Sequence, residues 1–230
     1  MSERGREEDR VKDAKQPPGG DLVSAILLAA GLSSRFGKAK QLAELEGTAL
    51  VSRAVATLER APVGEIVVVV GHRAAEVTRK LEGTAARIVV NEDYGTGLGS
   101  SIRTGVGALS RESRAAVVCL ADQPFVTADL IGQIVSRHRQ TGADVVASFS
   151  EGLVTPPVLF SSRLYGEMAE LRGDRGAKFI IEKHPGFEKV SVEPGLLLDV
   201  DTEEDLRRAR SVLGDGVIRK GSRARGADGP

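Results

Sequence analysis

Ser24-Ala25-Ile26-Leu27-Leu28-Ala29-Ala30-Gly31-Leu32-Ser33-Ser34-Arg35-Phe36-Gly37-Lys38-Ala39-Lys40-Gln41 opens the ordered pattern of this chain. Its first part, Ser24 to Ala29, is short and nearly continuous in hydrophobicity. That is the signature of a strand buried on both faces. A loop of small residues comes next. A strand that feeds such a loop sets backbone N–H groups at the carboxyl edge of a sheet, where α/β sheets bind ligands. Ala29, Ala30 and Gly31 leave room for a ligand to approach the backbone. Arg35, Lys38 and Lys40 add three cations to the same loop, and clustered cations suit a polyphosphate. From composition alone, a surface loop that merely carries basic residues stays open. Neither G-x-x-x-x-G-K-[ST] nor G-x-G-x-x-G is present there.

Working outward, four more apolar runs share the character of the first: Glu65 to Val70, Ala86 to Val90, Ala115 to Leu120 and Ala143 to Ser148. Amphipathic helical patterns separate them. Ala49 to Leu58 places Leu50, Ala54, Val55 and Leu58 on one face, and Ala74 to Leu81, Ser101 to Leu109 and Ala128 to His138 repeat the theme. Thr127 is a good N-cap for the last of these. Strand–helix alternation with short links predicts a mostly parallel, doubly wound sheet in three α/β/α layers, with right-handed crossovers. After Ser148 the rhythm changes. Thr155 to Phe160 is an extended segment led by two prolines. Short helices are predicted near 162–171 and 176–183, strands near 187–193 and 196–200, and a last helix from Thr202. The acids Glu203, Glu204 and Asp205 at its start and the arginines toward its end suit the helix dipole.

The rest of the composition excludes more than it specifies. Lys+Arg and Asp+Glu both total 32, so nothing like the basic excess of a charge-driven nucleic-acid binder is present. No apolar run approaches the ~20 residues of a membrane span, and no signal-peptide core stands near the N-terminus; a cytoplasmic protein is expected. The lone cysteine, Cys119, lies in an apolar run and reads as a buried hydrophobe. The three histidines and this cysteine form no zinc pattern. Residues 1–21 and 214–230 read as disordered tails. Between them a single domain is expected over 22–213, with a first half over 22–150 and a second over 151–213.

Two further segments carry acids to the same edge. Leu120-Ala121-Asp122-Gln123-Pro124 ends an apolar strand, so Asp122 belongs beside the first loop. A carboxylate there can hold Mg²⁺, which prefers oxygen ligands, although an Asp before a Pro also serves ordinary turns. In Leu198-Asp199-Val200-Asp201-Thr202, alternation on a strand would point Asp199 and Asp201 to one face. Asp201 or Thr202 would also cap the last helix. A fourth tract, Asn91 to Ser101, places Gly95, Gly97 and Gly99 ahead of a helix. A fifth, Leu171-Arg172-Gly173-Asp174-Arg175-Gly176-Ala177-Lys178, clusters cations at a helix start and suits a phosphate or a solvated turn alike.

The pattern Leu-Ala-Ala-Gly-x-Ser-x-Arg-x-Gly-x-x-Lys over 28–40 resembles the signature loop of nucleotidyltransferases with the glycosyltransferase-A-like fold. Within these, the chain is most similar to the molybdenum cofactor cytidylyltransferases, from about residue 24 to 213. Asp122-Gln123-Pro124 and Asp199-Val200-Asp201-Thr202 match further tracts of that family. So do Pro157-Val158-Leu159-Phe160 and Gly173-Asp174-Arg175-Gly176-Ala177-Lys178. Phe36 stands where Met is commoner, at a position expected to pack.

The resemblance implies a Mg²⁺-dependent enzyme that moves CMP from CTP to the terminal phosphate of molybdopterin, releasing pyrophosphate. It implies a nucleotide site of Leu28, Ala29, Ala30, Gly31, Ser33, Arg35, Lys40, Gly71, Gly99, Ser100, Ser101 and Asp122. Arg35, Lys40 and Asp122 would be the catalytic residues, with Asp122, Asp201 and then Asp199 as metal ligands. Gln123, Pro124, Pro157, Asp174, Gly176 and Lys178 would face the acceptor. A molybdenum hydroxylase or its chaperone would be the protein partner. Two alternatives stay open: a guanylyl- or sugar-phosphate nucleotidyltransferase on this fold, and a non-catalytic protein that holds the cofactor for insertion.

Overall fold

The computed structural model describes residues 22–33, 36 and 39–222, with side chains to residue 213. Strand β1 (Leu22–Ala29) is the centre of the molecule, and every residue of it after Leu22 is buried. A small hairpin comes after the loop, β2 (Glu44–Leu45) and β3 (Thr48–Ala49), leading into α1 (Leu50–Arg60). Three strand–helix units come next: β4 (Glu65–Val70) with α2 (Ala74–Lys80), β5 (Arg87–Val90) with α3 (Leu98–Gly107), and β6 (Ser113–Leu120) with α4 (Ala128–Thr141). The second part adds β7 (Val145–Ser150), β8 (Leu153–Ser161), α5 (Tyr165–Ala169), α6 (Ala177–Lys183), β9 (Glu188–Ser191) and α7 (Glu203–Ser222). The backbone of α7 stays helical past residue 213, where the sequence suggests the start of a tail; residues 1–21 lie outside the described part.

The seven-stranded sheet has the order β5-β4-β1-β6-β8-β7-β9. β1 runs parallel to β4 and β6, and β7 parallel to β9; only β8 runs against its neighbours. The mostly parallel, doubly wound α/β/α architecture expected from the alternation is therefore present. Its two faces sort the residues of β1 by parity, as a strand's alternating side chains require. Val23, Ala25 and Leu27 pack with Val55 of α1, Val77 of α2 and Ile134 of α4. Ile26 and Leu28 pack with Ile102 of α3, Met168 of α5 and Ile180 of α6. With no tryptophan and 3% aromatics, the core is aliphatic, and burial of this kind contributes roughly 25 cal/mol per Å² of apolar surface removed from water. Cys119 is inside it, its thiol pushed up to about 12 by burial, which leaves it inert.

The reversal at β8 has a local cause. Glu151 and Gly152 both take positive φ, 50° and 84°, the pairing of a two-residue hairpin turn that sends β7 straight back as β8. Two prolines then sit inside an interior strand, where their missing N–H groups would break a ladder. They are accommodated because β6 pairs with β8 only from Val158 to Ser161, and the β7 register shifts between Ala147 and Ser148. Ser148 Oγ donates to the carbonyl of Pro157 at 2.9 Å.

One expected element is not formed. Residues 196–200 are no strand: a 3-10 turn, Pro194–Leu197, occupies the start of that span, and no strand pairs with it. Pro194 supplies no N–H, and the segment is tied to the sheet by the Val200 N–H, which donates to the Asp122 carbonyl at 2.9 Å. Thr202 does cap the last helix. Its Oγ1 accepts from the Asp205 N–H at 3.1 Å while Asp205 Oδ2 accepts from the Thr202 N–H at 2.9 Å, a reciprocal capping box. A third apolar cluster, with Phe36, Leu45, Leu50, Val200 and Leu206, fastens α7 to the hairpin, so Phe36 packs as expected.

Candidate active site

The parallel register decides where the site lies. Ala29 stands beside Val70, and Leu28 beside Leu120, so the loops after β1, β4 and β6 leave the sheet together. The Ala121 N–H continues the ladder to the Leu28 carbonyl at 3.1 Å, placing Asp122 just beyond it. A cleft of about 420 Å³ opens at this edge, a volume in the range of small-molecule sites. Leu28, Ala29, Ala30, Gly31, Lys40, Ser101, Asp122 and Asp174 line it, together with Gln41 and the turn Tyr94 to Leu98.

At the cleft wall one ammonium meets two acids. Lys40 Nζ lies 2.6 Å from Asp201 Oδ1 and contacts Asp122 Oδ2. The side chains of Lys40 and Asp122 are 16% and 17% exposed, that of Asp201 45%. Burial pushes the Lys40 pKa down, but the charges of Asp122 and Asp201 and their hydrogen bonds outweigh it and hold the group above its ordinary value. Behind them, Asp199 is raised to about 6, by burial first and then by the charge of Asp122, with a hydrogen bond from Gln123 pulling the other way. Asp199 and Asp201 thus reach the site on an irregular segment rather than on the predicted strand.

The loop after β1 is held by Gln41, a residue to which the sequence pattern assigns no role. Its Nε2 donates to the carbonyls of Ala29 at 3.1 Å and Gly31 at 2.8 Å, and its side chain is buried. Ser33, with φ 55°, accepts from the Lys40 N–H at 3.0 Å. These ties close the loop on itself and fix where Lys40 starts. Arg35, expected on the phosphates, lies outside the described residues.

Other expected residues distribute unevenly. Gly71, at the end of β4, packs against Tyr94 and Ala30 behind the cleft. Asn91 Nδ2 donates to Ser100 Oγ at 2.9 Å and to Ser101 Oγ at 3.0 Å; Ser101 lines the cleft, whereas Ser100 is buried and bonded to the Asp93 and Gly97 carbonyls. Asn91 and Tyr94 belong to the tract from Asn91 to Ser101, but the sequence pattern assigns neither a role. The Gly99 N–H donates to the Gly173 carbonyl at 2.9 Å, and Gly176 abuts Leu98. These contacts lock the 172–176 loop onto the start of α3 and bring Asp174 to the cleft. Gln123 is buried beneath the acids, and Pro157 lies in β8. Lys178 stays apart: its side chain is 86% exposed and its nearest ion partner is Glu182 at 3.9 Å.

Residues 25–189 match the family model of the MobA-like NTP transferase domain. The chain belongs to this family. Among relatives of these NTP transferases, the nicotine blue oxidoreductase of Paenarthrobacter nicotinovorans is 30% identical over 81% of this chain and 95% of its own length. The purine catabolism protein PucB of Bacillus subtilis is 30% identical over 81% of this chain and 96% of its own. Of solved structures, a homologue of Mycobacterium tuberculosis Rv0371c from Mycobacterium sp. strain JC1 superimposes with a TM-score of 0.76 at 31% identity, covering 84% of this chain and 97% of that one. Rv0371c of M. tuberculosis H37Rv in complex with manganese superimposes with a TM-score of 0.71 at 25% identity, covering 83% and 98%. A MobA-like NTP transferase is a nucleotidyltransferase, and the cleft is where the nucleotide-binding loop expected from the sequence lies.

The acids fit a hard divalent cation in chemistry. All their donors are oxygen, and Asp122 Oδ1 is buried without a hydrogen-bond partner among the described residues, the kind of atom that a cation satisfies. Among the described residues, no three acids, histidines or cysteines converge as a ready-made cage. Mg²⁺ does not require one, since it keeps several waters and takes one or two carboxylates plus substrate phosphates. No described helix is long and apolar enough to cross a membrane.

Proposed function

We propose that this NTP transferase moves a nucleoside monophosphate from an NTP, CTP first among candidates, to the terminal phosphate of a molybdopterin-type acceptor, releasing pyrophosphate. The observation that carries the reading is the meeting of Lys40, Asp122 and Asp201 at a cleft floored by Ala29, Ala30 and Gly31. Phosphoryl and nucleotidyl transfer ask little covalent chemistry of a protein; they ask for positioning and for charge placed against charge. Lys40 supplies the mobile positive charge for the phosphates, and Arg35 is the second cation on the same loop. The small residues of the loop let the nucleotide lie against backbone N–H groups. Asp122 and Asp201, with Asp199 behind them, are the groups that would hold Mg²⁺. When bound, the ion would neutralise phosphate charge and polarise the phosphorus under attack.

The acceptor needs no protein nucleophile, because a phosphate monoester is already anionic at neutral pH. Its side of the cleft is formed by the 172–176 loop, and Asp174 is the acid that loop contributes. The molybdopterin assignment rests on the matched tracts at 157–160 and 173–178 and on membership in a family described by its likeness to MobA. Molybdenum hydroxylases or their chaperones are the protein partners this product would serve.

The test is a pyrophosphate-release screen with CTP, GTP, UTP and ATP, with Mg²⁺ or Mn²⁺, against molybdopterin and sugar-phosphate acceptors. Release with CTP and molybdopterin alone is the expected outcome. Preference for GTP or a sugar phosphate would move the assignment within the family. Tight cofactor binding without NTP consumption would replace it with a carrier role. Because one relative is an oxidoreductase, the screen also includes a redox arm, where turnover without pyrophosphate would overturn the transfer reading.

A further inference from the structure

Resting on the metal-dependent reading of this site, we infer that Lys40 and the divalent cation compete for the same pair of carboxylates. The nucleotide-free protein then binds the cation weakly, and nucleotide phosphates open the site by drawing Lys40 away. The ammonium sits 2.6 Å from Asp201 Oδ1 and touches Asp122 Oδ2, so it lies where a cation shared by these two acids would lie. An ammonium is a compact point charge on a flexible stem. Two cations cannot share this space without repulsion, and two half-buried acids cannot stay close without one cation. Lys40 therefore acts as an internal counter-ion whenever the cleft holds no ligand. The remaining oxygen, Asp122 Oδ1, has no partner among the described residues, because the lysine reaches only one side of that carboxylate.

The backbone around Lys40 is anchored by hydrogen bonds of its own, while its side chain is held only by the two acids. The Lys40 N–H is held by Ser33 Oγ at 3.0 Å, and its carbonyl accepts from the Ala43 N–H at 2.9 Å. The stem can thus swing from the acids to a polyphosphate in the cleft without refolding the loop. The same charge serves in two places: it covers the acids in the empty protein and meets the phosphates in the loaded one. The cation consequently enters with the nucleotide rather than ahead of it.

The experiment titrates the nucleotide-free full-length protein with Mn²⁺ and reads free Mn²⁺ by electron paramagnetic resonance. Lys40→Met keeps the stem and removes the charge; it should bind Mn²⁺ at least tenfold more tightly than the parent. Lys40→Arg, which keeps the charge, should stay near the parent. The same variants are melted with and without Mn²⁺, and Mn²⁺ should raise the melting temperature of Lys40→Met more than that of the parent. This second readout holds even where Lys40→Met is less stable. Mn²⁺ affinity in Lys40→Met equal to or weaker than the parent's, or equal melting shifts, overturns the competition. Pyrophosphate release by the parent without any divalent cation is a separate result and would overturn the metal-dependent reading itself.

Discussion

At the amino edge of the sheet Glu65 is saturated with partners, while at the carboxyl edge Asp122 is not, though the two are equally withdrawn from water. Their side chains are 16% and 17% exposed. Glu65 accepts from Ser24 Oγ at 2.7 Å, from Arg87 Nη2 at 2.7 Å and from the Ser110 N–H at 3.1 Å. Among the described residues, Asp122 has one lysine on Oδ2 and nothing on Oδ1. A buried acid whose oxygens are all engaged ties elements together. A buried acid that keeps an oxygen unengaged costs stability and is held there by the surrounding strands. On the proposed reading the difference separates an acid that serves the fold from one that serves a ligand, and substitutions at the two edges can break or sharpen it.

The largest effect falls on Asp122. Asp122→Asn should lower metal-dependent pyrophosphate release by a hundredfold or more, roughly the scale of losing one preorganised charge contact in a closed site. Its melting temperature should fall only modestly, because the amide gives up the pairing with Lys40 but relieves the burial of a charged oxygen without a partner, and Asp201 remains on the lysine. Asp201→Asn should cost less, roughly tenfold, or about 1.4 kcal/mol, since Asp201 is 45% exposed and water can stand in for its oxygen. Steady-state release rates alongside thermal melts check both. A melt lowered as far as the activity would erase the distinction between the two edges.

How legible this edge is in the sequence depends on how each residue reaches it. Asp122 ends a continuous apolar run, so the end of a strand and the place of the acid can be read together. Asp199 and Asp201 look like strand residues by alternation, but alternation is only a pattern. No neighbouring strand offers a ladder to 196–200, and Pro194 begins a 3-10 turn instead. The parallel centre of the fold is legible because β1, β4 and β6 are buried on both faces and their hydrophobicity is local. The antiparallel reversal at β8 depends on a hairpin turn of Glu151 and Gly152, whose signal is two residues long. Gln41 and Asn91 are invisible as organisers because they act through hydrogen bonds to residues that only folding brings near.

An effect on stability rather than on rate belongs to Gly97, which fixes the loop that carries Asp174 to the carboxyl edge. Its φ of 114° and ψ of 175° lie in a region essentially restricted to glycine. A Cβ there would stand 2.4 Å from the Gly173 backbone. Gly97→Ala should destabilise the protein by about 3 kcal/mol, combining backbone strain with displacement of the 172–176 loop. Gly95→Ala, where a Cβ meets nothing within 4 Å and φ is not positive, is the matched control. Denaturant melts of the pair measure the difference, and equal midpoints would mean that this loop is not braced by α3.

The smallest effect is the one that isolates the amino edge. Burial works to raise the Glu65 carboxyl, but hydrogen bonds from Ser24, Arg87 and the Ser110 N–H, and then the Arg87 charge, win and hold it below the ordinary value of 4.5. The unfolded chain therefore binds a proton there at a pH where the folded chain does not. Stability from this group is fully present above about pH 4.5, and it is lost as pH falls from there through the lower folded value. Glu65→Gln removes the titration, so its stability should be flatter between neutral and acid pH than the parent's. At pH 7 the loss should be under about 1 kcal/mol, because Arg87 is half exposed and water screens its share. Pyrophosphate release should be unchanged, since Glu65 lies at the opposite end of the strands from the cleft. Chemical denaturation from pH 7 down to about pH 3, through the range below the ordinary value, reads the slope. A Glu65→Gln profile parallel to the parent's would show that the saturated acid does no more for the fold than the unsaturated one.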